Sequence, residues 1–235
     1  MSAPIRKGLY KSLVLLSGGV DSAMTALYAC KRHSKVLLLT FEYQQKNSRE
    51  LLCAKRIAKY FGSKVTHITC HLDFRHIAQS RRSALLGDNI GHNRQPDFYV
   101  PGRNIIFLSN AAAIAESYNV QEIYIGSHVQ ETFPDCAETF LSLFEKALRQ
   151  GLKFNKNIKI CAPFLEMSKF EIIRYGYDNH FDFGLTWSCY CNGPLACGRC
   201  KACYARAVNF HWAGLVDPVK YSKRFNRVLE AACTQ

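Results

Sequence analysis

No stretch of this 235-residue chain is apolar for long enough to cross a bilayer: runs such as residues 13–16 and 36–40 fall far short of the roughly 18–20 residues a spanning helix needs. Residues 1–11 carry no apolar leader segment, so the protein is expected to be cytoplasmic and to have no membrane partner. Low-complexity tracts and internal repeats are absent. With 48% apolar and 21% charged residues, disorder as the main state is excluded as well. Acid is scarce, at 18 Asp and Glu against 31 Lys and Arg, for a net charge of +13. That balance favours a phosphate-bearing ligand or a polyanion. The basic residues are scattered in short clusters (Lys31-Arg32, Arg81-Arg82, 220–227), so charge alone does not separate a nucleic-acid footprint from a solvated basic surface.

Cysteine, by contrast, is plentiful. The 11 Cys are odd in number, follow no export signal, and crowd five deep between Cys189 and Cys203. That density points to metal binding in a reducing compartment and away from a disulfide framework.

Hydrophobic periodicity predicts alternating strands and helices. Residues 9–16 read as a strand, 21–30 as a helix, 35–43 as a strand, 48–61 as a helix closed by Gly62, and 64–70 as a strand. After a long polar insertion at 74–100 the pattern resumes, with a helix at 103–118, a strand at 121–126, a helix at 137–150, a strand at 157–163 and a helix at 168–177 that Ser168 can cap. Five βα units imply an α/β fold with a five-stranded parallel sheet, a Rossmann-like three-layer sandwich. From Thr186 the composition turns to Cys, Gly and Lys. Residues 1–185 are therefore expected to form the main domain, and 186–235 a small helical module built on the cysteines and packed against it.

Two constellations carry chemistry. The first, Ser17-Gly18-Gly19-Val20-Asp21-Ser22, follows the first strand and opens the first helix. Glycine-turn amides and the positive end of the helix dipole together make an anion site sized for phosphate. No Lys follows the glycines and no G-x-G-x-x-G is present, so neither the P-loop nor the dinucleotide fingerprint applies. The second is Cys189, Cys197, Cys200 and Cys203, in which a C-x-x-C knuckle turning on Gly198 is completed by further cysteines into a four-thiolate Zn²⁺ site. A redox C-x-x-C is the rival, but it would not carry the extra neighbouring cysteines. Four thiolates leave no open position for water, so the zinc is expected to be structural, lowering the net charge to about +11. Cys191 is a fifth candidate, set aside because two residues from Cys189 it would make a cramped chelate, a choice that spacing alone leaves open.

S-G-G-x-D-S after a first strand resembles the pyrophosphate-binding loop of the ATP pyrophosphatase superfamily, the adenine nucleotide alpha hydrolase-like fold. Together with Val100-Pro101-Gly102-Arg103-Asn104, Pro134-Asp135-Cys136, Ser188-Cys189-Tyr190 through Cys203, and Asp217-Pro218, it resembles the 7-cyano-7-deazaguanine synthase family over nearly the whole chain. The resemblance implies an ATP-dependent, AMP- and pyrophosphate-forming ligase of queuosine biosynthesis. Such an enzyme adenylates the carboxylate of 7-carboxy-7-deazaguanine, amidates it with ammonia and dehydrates the amide to the nitrile. It implies that Ser17, Gly18, Gly19, Val20, Asp21 and Ser22 hold pyrophosphate, with Asp21 orienting the Mg²⁺ that accompanies ATP, and that adenine lies near Thr40 and Phe41. Arg103 and Lys169 would neutralise developing negative charge, with Ser17 and Asp21 as their catalytic companions. Phe133 and Asp135 would meet the deazaguanine, although Asp135 could instead cap the helix from Ala137. Cys136 is expected to be a small buried residue. A homodimer is the expected assembly.

Two departures from the family pattern stand out. Tyr43-Gln44-Gln45 lacks the usual glycine, and the segment between Gly126 and Pro134 is shortened. They motivate two alternatives: conjugation of the activated base to another nucleophile such as a protein amine, or a tRNA-modifying enzyme of the same loop class.

Overall fold

A computed structural model describes residues 10–43, 45, 48–80, 99–129, 133–191 and 193–222. Among them, five strands form one parallel sheet: β1 (Ser12–Leu15), β2 (Val36–Glu42), β3 (Val65–His71), β4 (Glu122–Tyr124) and β5 (Lys159–Cys161), in the order β3-β2-β1-β4-β5. The helices are α1 (Val20–Arg32), α2 (Ser48–Phe61), α3 (Arg75–Ser80), α4 (Arg103–Tyr118), α5 (Glu138–Gly151), α6 (Lys169–Asp178) and α7 (Lys201–Trp212).

The central strands carry unbroken apolar runs, 13–15 in β1 and 36–39 in β2, because both faces are covered. Leu13, Leu15, Leu37, Leu39 and Phe41 alternate onto the side held by Leu108, Ala111, Ala112 and Ala115 of α4 and Leu141 of α5. Val14, Leu16 and Leu38 face the opposite layer, where Ala23, Met24 and Leu27 of α1 pack with Ile172 and Ile173 of α6 and Phe210 of α7. Each such side chain taken fully out of water contributes about 1.5–3 kcal/mol, so the interleaved leucines fix the sandwich. The expected three-layer α/β fold is the one observed.

The chain steps outward from β1 to β2 and β3, then returns to the other side of β1 for β4 and β5. At such a reversal the loops leaving neighbouring strands part company, and a crevice opens at the carboxyl edge of the sheet. Here it opens between the ends of β1 and β4.

Most expected elements recur within a few residues, with two differences. β1, β4 and β5 are shorter than periodicity suggests. β4 ends before Gly126, where the backbone runs so close to α1 that an added Cβ would lie 3.0 Å from the Asp21 carbonyl carbon. The short helix α3, started by Asp73, whose carboxylate accepts from Arg75 N at 3.0 Å, lies inside what sequence read as insertion. The capping box of α6 forms as expected, Ser168 N donating to Glu171 Oε2 at 2.7 Å. The remainder of the insertion at 81–98, the altered positions Gln44 and 130–132, and residues 223–235 lie outside the described residues.

Candidate active site at the carboxyl edge of β1

The chain leaves β1 through Ser17-Gly18-Gly19 and enters α1 at Val20. Gly18 has φ +95°, and a Cβ there would lie 2.3 Å from the Glu50 carbonyl oxygen, so only glycine fits the turn against α2. Gly19 is the N-cap of α1 and offers no side-chain oxygen to the helix, which leaves the first-turn N–H groups of α1 facing the crevice. Two hydroxyls brace the loop. Ser22 Oγ donates to the Gly19 carbonyl at 3.1 Å and accepts from Ser17 N at 3.2 Å. With that proton committed, Ser17 Oγ donates to Ser22 Oγ at 3.0 Å and accepts from Gly19 N at 3.3 Å.

Asp21 and Lys169 meet here from 148 residues apart, with Lys169 Nζ 2.9 Å from Asp21 Oδ2. The buried His128 approaches the other oxygen, with Nε2 3.9 Å from Oδ1. Burial pushes the Asp21 carboxyl up, but the charges of Lys169 and His128 outweigh it and hold the group below its ordinary value. Oδ1 itself is buried without a hydrogen bond, an oxygen that a cation would satisfy.

The loop opens into a cavity of about 240 Å³ lined on one side by Ser17, Gly19, Asp21, Ser22 and Ser127 and on the other by Phe41, Tyr43, Glu50, Arg103, Asn104 and Phe107. Phe41 and Phe107 stack at 4.3 Å between centroids, with the Tyr43 ring edge-on to Phe107 at 5.2 Å. This is a flat, aromatic floor beside an anion site. Arg103 hydrogen-bonds the Tyr43 phenol, while burial and the Glu50 charge outweigh it and raise that phenol. Gln45 folds back over the end of β2, its Oε1 accepting from Tyr43 N at 2.7 Å and its Nε2 donating to the Phe41 carbonyl at 3.2 Å.

Of the residues singled out from sequence, Ser17, Gly19, Asp21, Ser22, Phe41 and Arg103 line the cavity together, with Lys169 attached through Asp21. Thr40 stands apart: it lies on the opposite face of β2 from Phe41, and its buried hydroxyl donates to the Leu16 carbonyl at 2.7 Å and meets His67 Nε2 at 2.7 Å. Asp135 corrects an alternative. It does not cap the helix that follows, whose N-cap Ala137 makes no side-chain bond. Its carboxylate accepts instead from Asn104 N at 3.0 Å and Asn104 Nδ2 at 3.2 Å, tying down the first turn of α4, on which Arg103 stands. Phe133 lies against Tyr99, 5.8 Å between centroids. Cys136 is buried as expected, yet it touches the cavity and accepts from Asn104 Nδ2 at 3.0 Å. Sequence reading met Asn104 only as part of a motif and passed over Glu50, Phe107 and His128, because in one dimension they are a first-turn acid, a core aromatic and a lone histidine.

The second constellation assembles as well. Cys189, Cys197, Cys200 and Cys203 bring their sulfurs within 4.8 Å of one another, a set that can hold a metal ion. Backbone donors point at the sulfurs, as Cys191 N and Cys197 N do at Cys189 Sγ, both at 3.3 Å, and Cys203 N at Cys200 Sγ at 3.4 Å. Exposed Cys191 stays outside. The cluster packs with Trp187, whose indole donates to the Cys189 carbonyl at 2.9 Å and whose backbone N–H reaches the Gly18 carbonyl at 3.0 Å. The Arg49 guanidinium covers that ring at 4.3 Å.

Fold and loop together define an adenine nucleotide alpha hydrolase-like α/β protein. Its backbone is similar to that of the NMN synthetase from Francisella tularensis, with a TM-score of 0.50 and 14% identity over 89% of this chain and 79% of that one, a likeness of fold alone. Residues 11–214 match the family of queuosine biosynthesis protein QueC, and the chain belongs to that family. The 7-cyano-7-deazaguanine synthase of Thermoplasma acidophilum is 38% identical over 91% of this chain and 92% of its own length. That of Acetivibrio thermocellus is 38% identical over 91% and 99%. Among the described residues no helix is long and apolar enough to cross a membrane.

Proposed function

We propose that the chain is an ATP-dependent 7-cyano-7-deazaguanine synthase that forms AMP and pyrophosphate. The observation that carries this reading is the joining, in one cavity, of an anion loop with a Lys169–Asp21 pair and an aromatic floor edged by Arg103, in a chain of this family. The carboxylate oxygen of 7-carboxy-7-deazaguanine attacks the α-phosphorus of ATP, and the bond to the bridging oxygen breaks, releasing pyrophosphate. The amides of 18–20 and the hydroxyls of Ser17 and Ser22 receive the leaving pyrophosphate, and Lys169 and Arg103 neutralise the charge that develops. The bare Oδ1 of Asp21 fits Mg²⁺, which would travel with ATP and screen its phosphates. Ammonia then forms the C–N bond as AMP and one proton depart, and a second ATP adenylates the amide oxygen, releasing pyrophosphate, so that loss of AMP and both remaining N–H protons gives the nitrile.

Phe133 and Asp135 are the base-facing pair in this reading, since Asp135 Oδ2 keeps a lone pair after its bond from Asn104 N. Zn²⁺ suits the four-sulfur set and closes it, a structural site. The experiment is incubation with 7-carboxy-7-deazaguanine, ATP and ammonium, followed by mass spectrometry of base and nucleotide products. The nitrile with AMP and pyrophosphate is expected; ADP and phosphate would overturn the loop assignment. Asp21→Ala should lower AMP formation by about 10²-fold or more, far beyond what the stability lost with the Lys169 pair explains.

A further inference from the structure

Two carboxyl groups line the cavity among the described residues, Asp21 and Glu50, and their surroundings push them to opposite behaviour. Asp21 is committed to Lys169 and held ionised. Glu50 stands in the first turn of α2, across the phosphate loop from Asp21, on the aromatic side of the cavity with Arg103 and Asn104. Its place is fixed by main chain as well as side chain, because the α2 backbone at Glu50 is pressed against Gly18 so closely that no Cβ fits between them.

Building on the reading above, we propose that Glu50 is a catalytic residue that accepts the proton shed by ammonia as its nitrogen bonds to the activated carboxyl carbon. In that step the nitrogen lone pair forms the C–N bond, the C–O bond to AMP breaks with its electron pair leaving on AMP, and one N–H proton passes to the Glu50 carboxylate. The products are the amide, AMP and a protonated Glu50 that solvent restores. Ammonia and the acyl adenylate are the only reactants required.

The surroundings of Glu50 suit the task. Arg103 faces it from α4, the Tyr43 phenol faces it from the end of β2, the loop presents backbone at Gly18, and Cys53 stands on its own helix. Burial lifts the carboxyl to about 7 against the pull of Arg103. A general base works best with an affinity near the working pH, and paired carboxylates whose environments split their affinities divide acid–base roles between them. Asp21, paired and low, serves phosphate and cation. Glu50, high and near-neutral, serves the nitrogen.

The test separates adenylation from amide formation in the full-length protein. ATP–pyrophosphate exchange with 7-carboxy-7-deazaguanine, without ammonia, reads the first. Amide formation at fixed free ammonia, from pH 6 to 9, reads the second. The wild-type amide rate should rise through about pH 7 and level off, since the acceptor works deprotonated. Glu50→Gln should abolish that rise and lower amide formation by about 10²–10⁴-fold, while exchange falls by about threefold or less. Glu50→Asp should recover part of the rate and of the pH limb, and it covers the case in which the Gln variant folds poorly. An amide rate left at the wild-type level overturns the proposal. So does an equal loss of exchange and amide formation, which marks a structural group, or a raised KM for the base with kcat intact, which marks a recognition group. If the wild type shows no exchange with this base, the substrate reading fails first and Glu50 loses its reaction with it.

Discussion

The phosphate loop and the cysteine knuckle are built alike and serve opposite ends. Each turns on a glycine with positive φ, +95° at Gly18 and +69° at Gly198, and each aims backbone N–H groups at negative charge. In the loop the Asp21 charge is already met by Lys169; the anion that the first-turn amides of α1 await can come and go. In the knuckle four sulfurs lean on one another, hydrogen bonds from Cys189 and Cys203 holding the Cys200 thiol far down. No protein cation is among these four residues, a set that can hold a metal ion and whose thiolates a divalent cation would neutralise. A site with its own counter-charge is available for turnover; a site without one is a fastener. The two also touch, since Trp187 bonds the Gly18 carbonyl from a segment anchored on Cys189. The fastener braces the back of the working loop.

That contrast is broken most forcefully at Cys200. A structural zinc contributes on the order of 10 kcal/mol of apparent binding energy that the fold draws on, comparable to the whole net stability of a typical domain. Cys200→Ser should remove the metal, about one ion per chain by four-sulfur coordination, and collapse the thermal transition, with activity lost because the Trp187 brace is lost. Metal analysis beside a melting curve checks it. A metal-free protein with unchanged melting would erase the distinction between the two regions.

Both turns could be read from the sequence because each is local: a few consecutive residues contain the glycine, the donors and the chemistry. The sheet was legible for a related reason, as strands buried on both faces leave unbroken apolar runs such as 36–39. The cavity's far wall was legible only in part, at Phe41 and Arg103. Glu50, Phe107 and Asn104 meet only because the topology folds α2 and α4 over the end of β1, and a first-turn glutamate is ordinarily explained by the helix dipole. Asp135 shows the same limit. A helix-cap role was visible, but which helix it served depended on a contact 31 residues away.

At Gly18 the effect should be smaller than at Cys200 and should fall on both stability and rate. An alanine there meets the Glu50 carbonyl at 2.3 Å and must hold φ near +95°. Strain of that kind costs about 1–3 kcal/mol, and relief requires α2 to move off the loop. Gly18→Ala should lower melting by several degrees and reduce AMP formation far more than that loss of stability explains. Gly62 is the control, with φ +57° and nothing within 4 Å of an added Cβ. Gly62→Ala should cost about 1 kcal/mol and leave AMP formation alone. Equal behaviour of the two would mean that the loop tolerates displacement.

The smallest effect sharpens the comparison of the two carboxyls. Burial holds Glu50 near 7 in the fold against an ordinary 4.5. Below about pH 4.5 the group is protonated folded or unfolded and costs nothing. As pH rises through the window to 7, the unfolded chain releases the proton freely while the fold resists, so stability is lost across that window and the full cost persists above it. Glutamine cannot ionise, so Glu50→Gln should be neutral at pH 5 relative to its effect at pH 8, where it should gain about 1 kcal/mol, or about 2–4 °C in melting for a chain of this size. Asp21 runs the other way. Its depressed affinity stabilises the fold above its ordinary 3.8 and is lost only as pH falls below that value, so Asp21→Asn should be costlier at pH 8 than at pH 3.5. Thermal melts of both variants across that range decide the matter. If Glu50→Gln destabilises equally at pH 5 and pH 8, Glu50 is an ionised partner of Arg103, and the carboxyl across the loop from Asp21 is no proton acceptor at neutral pH.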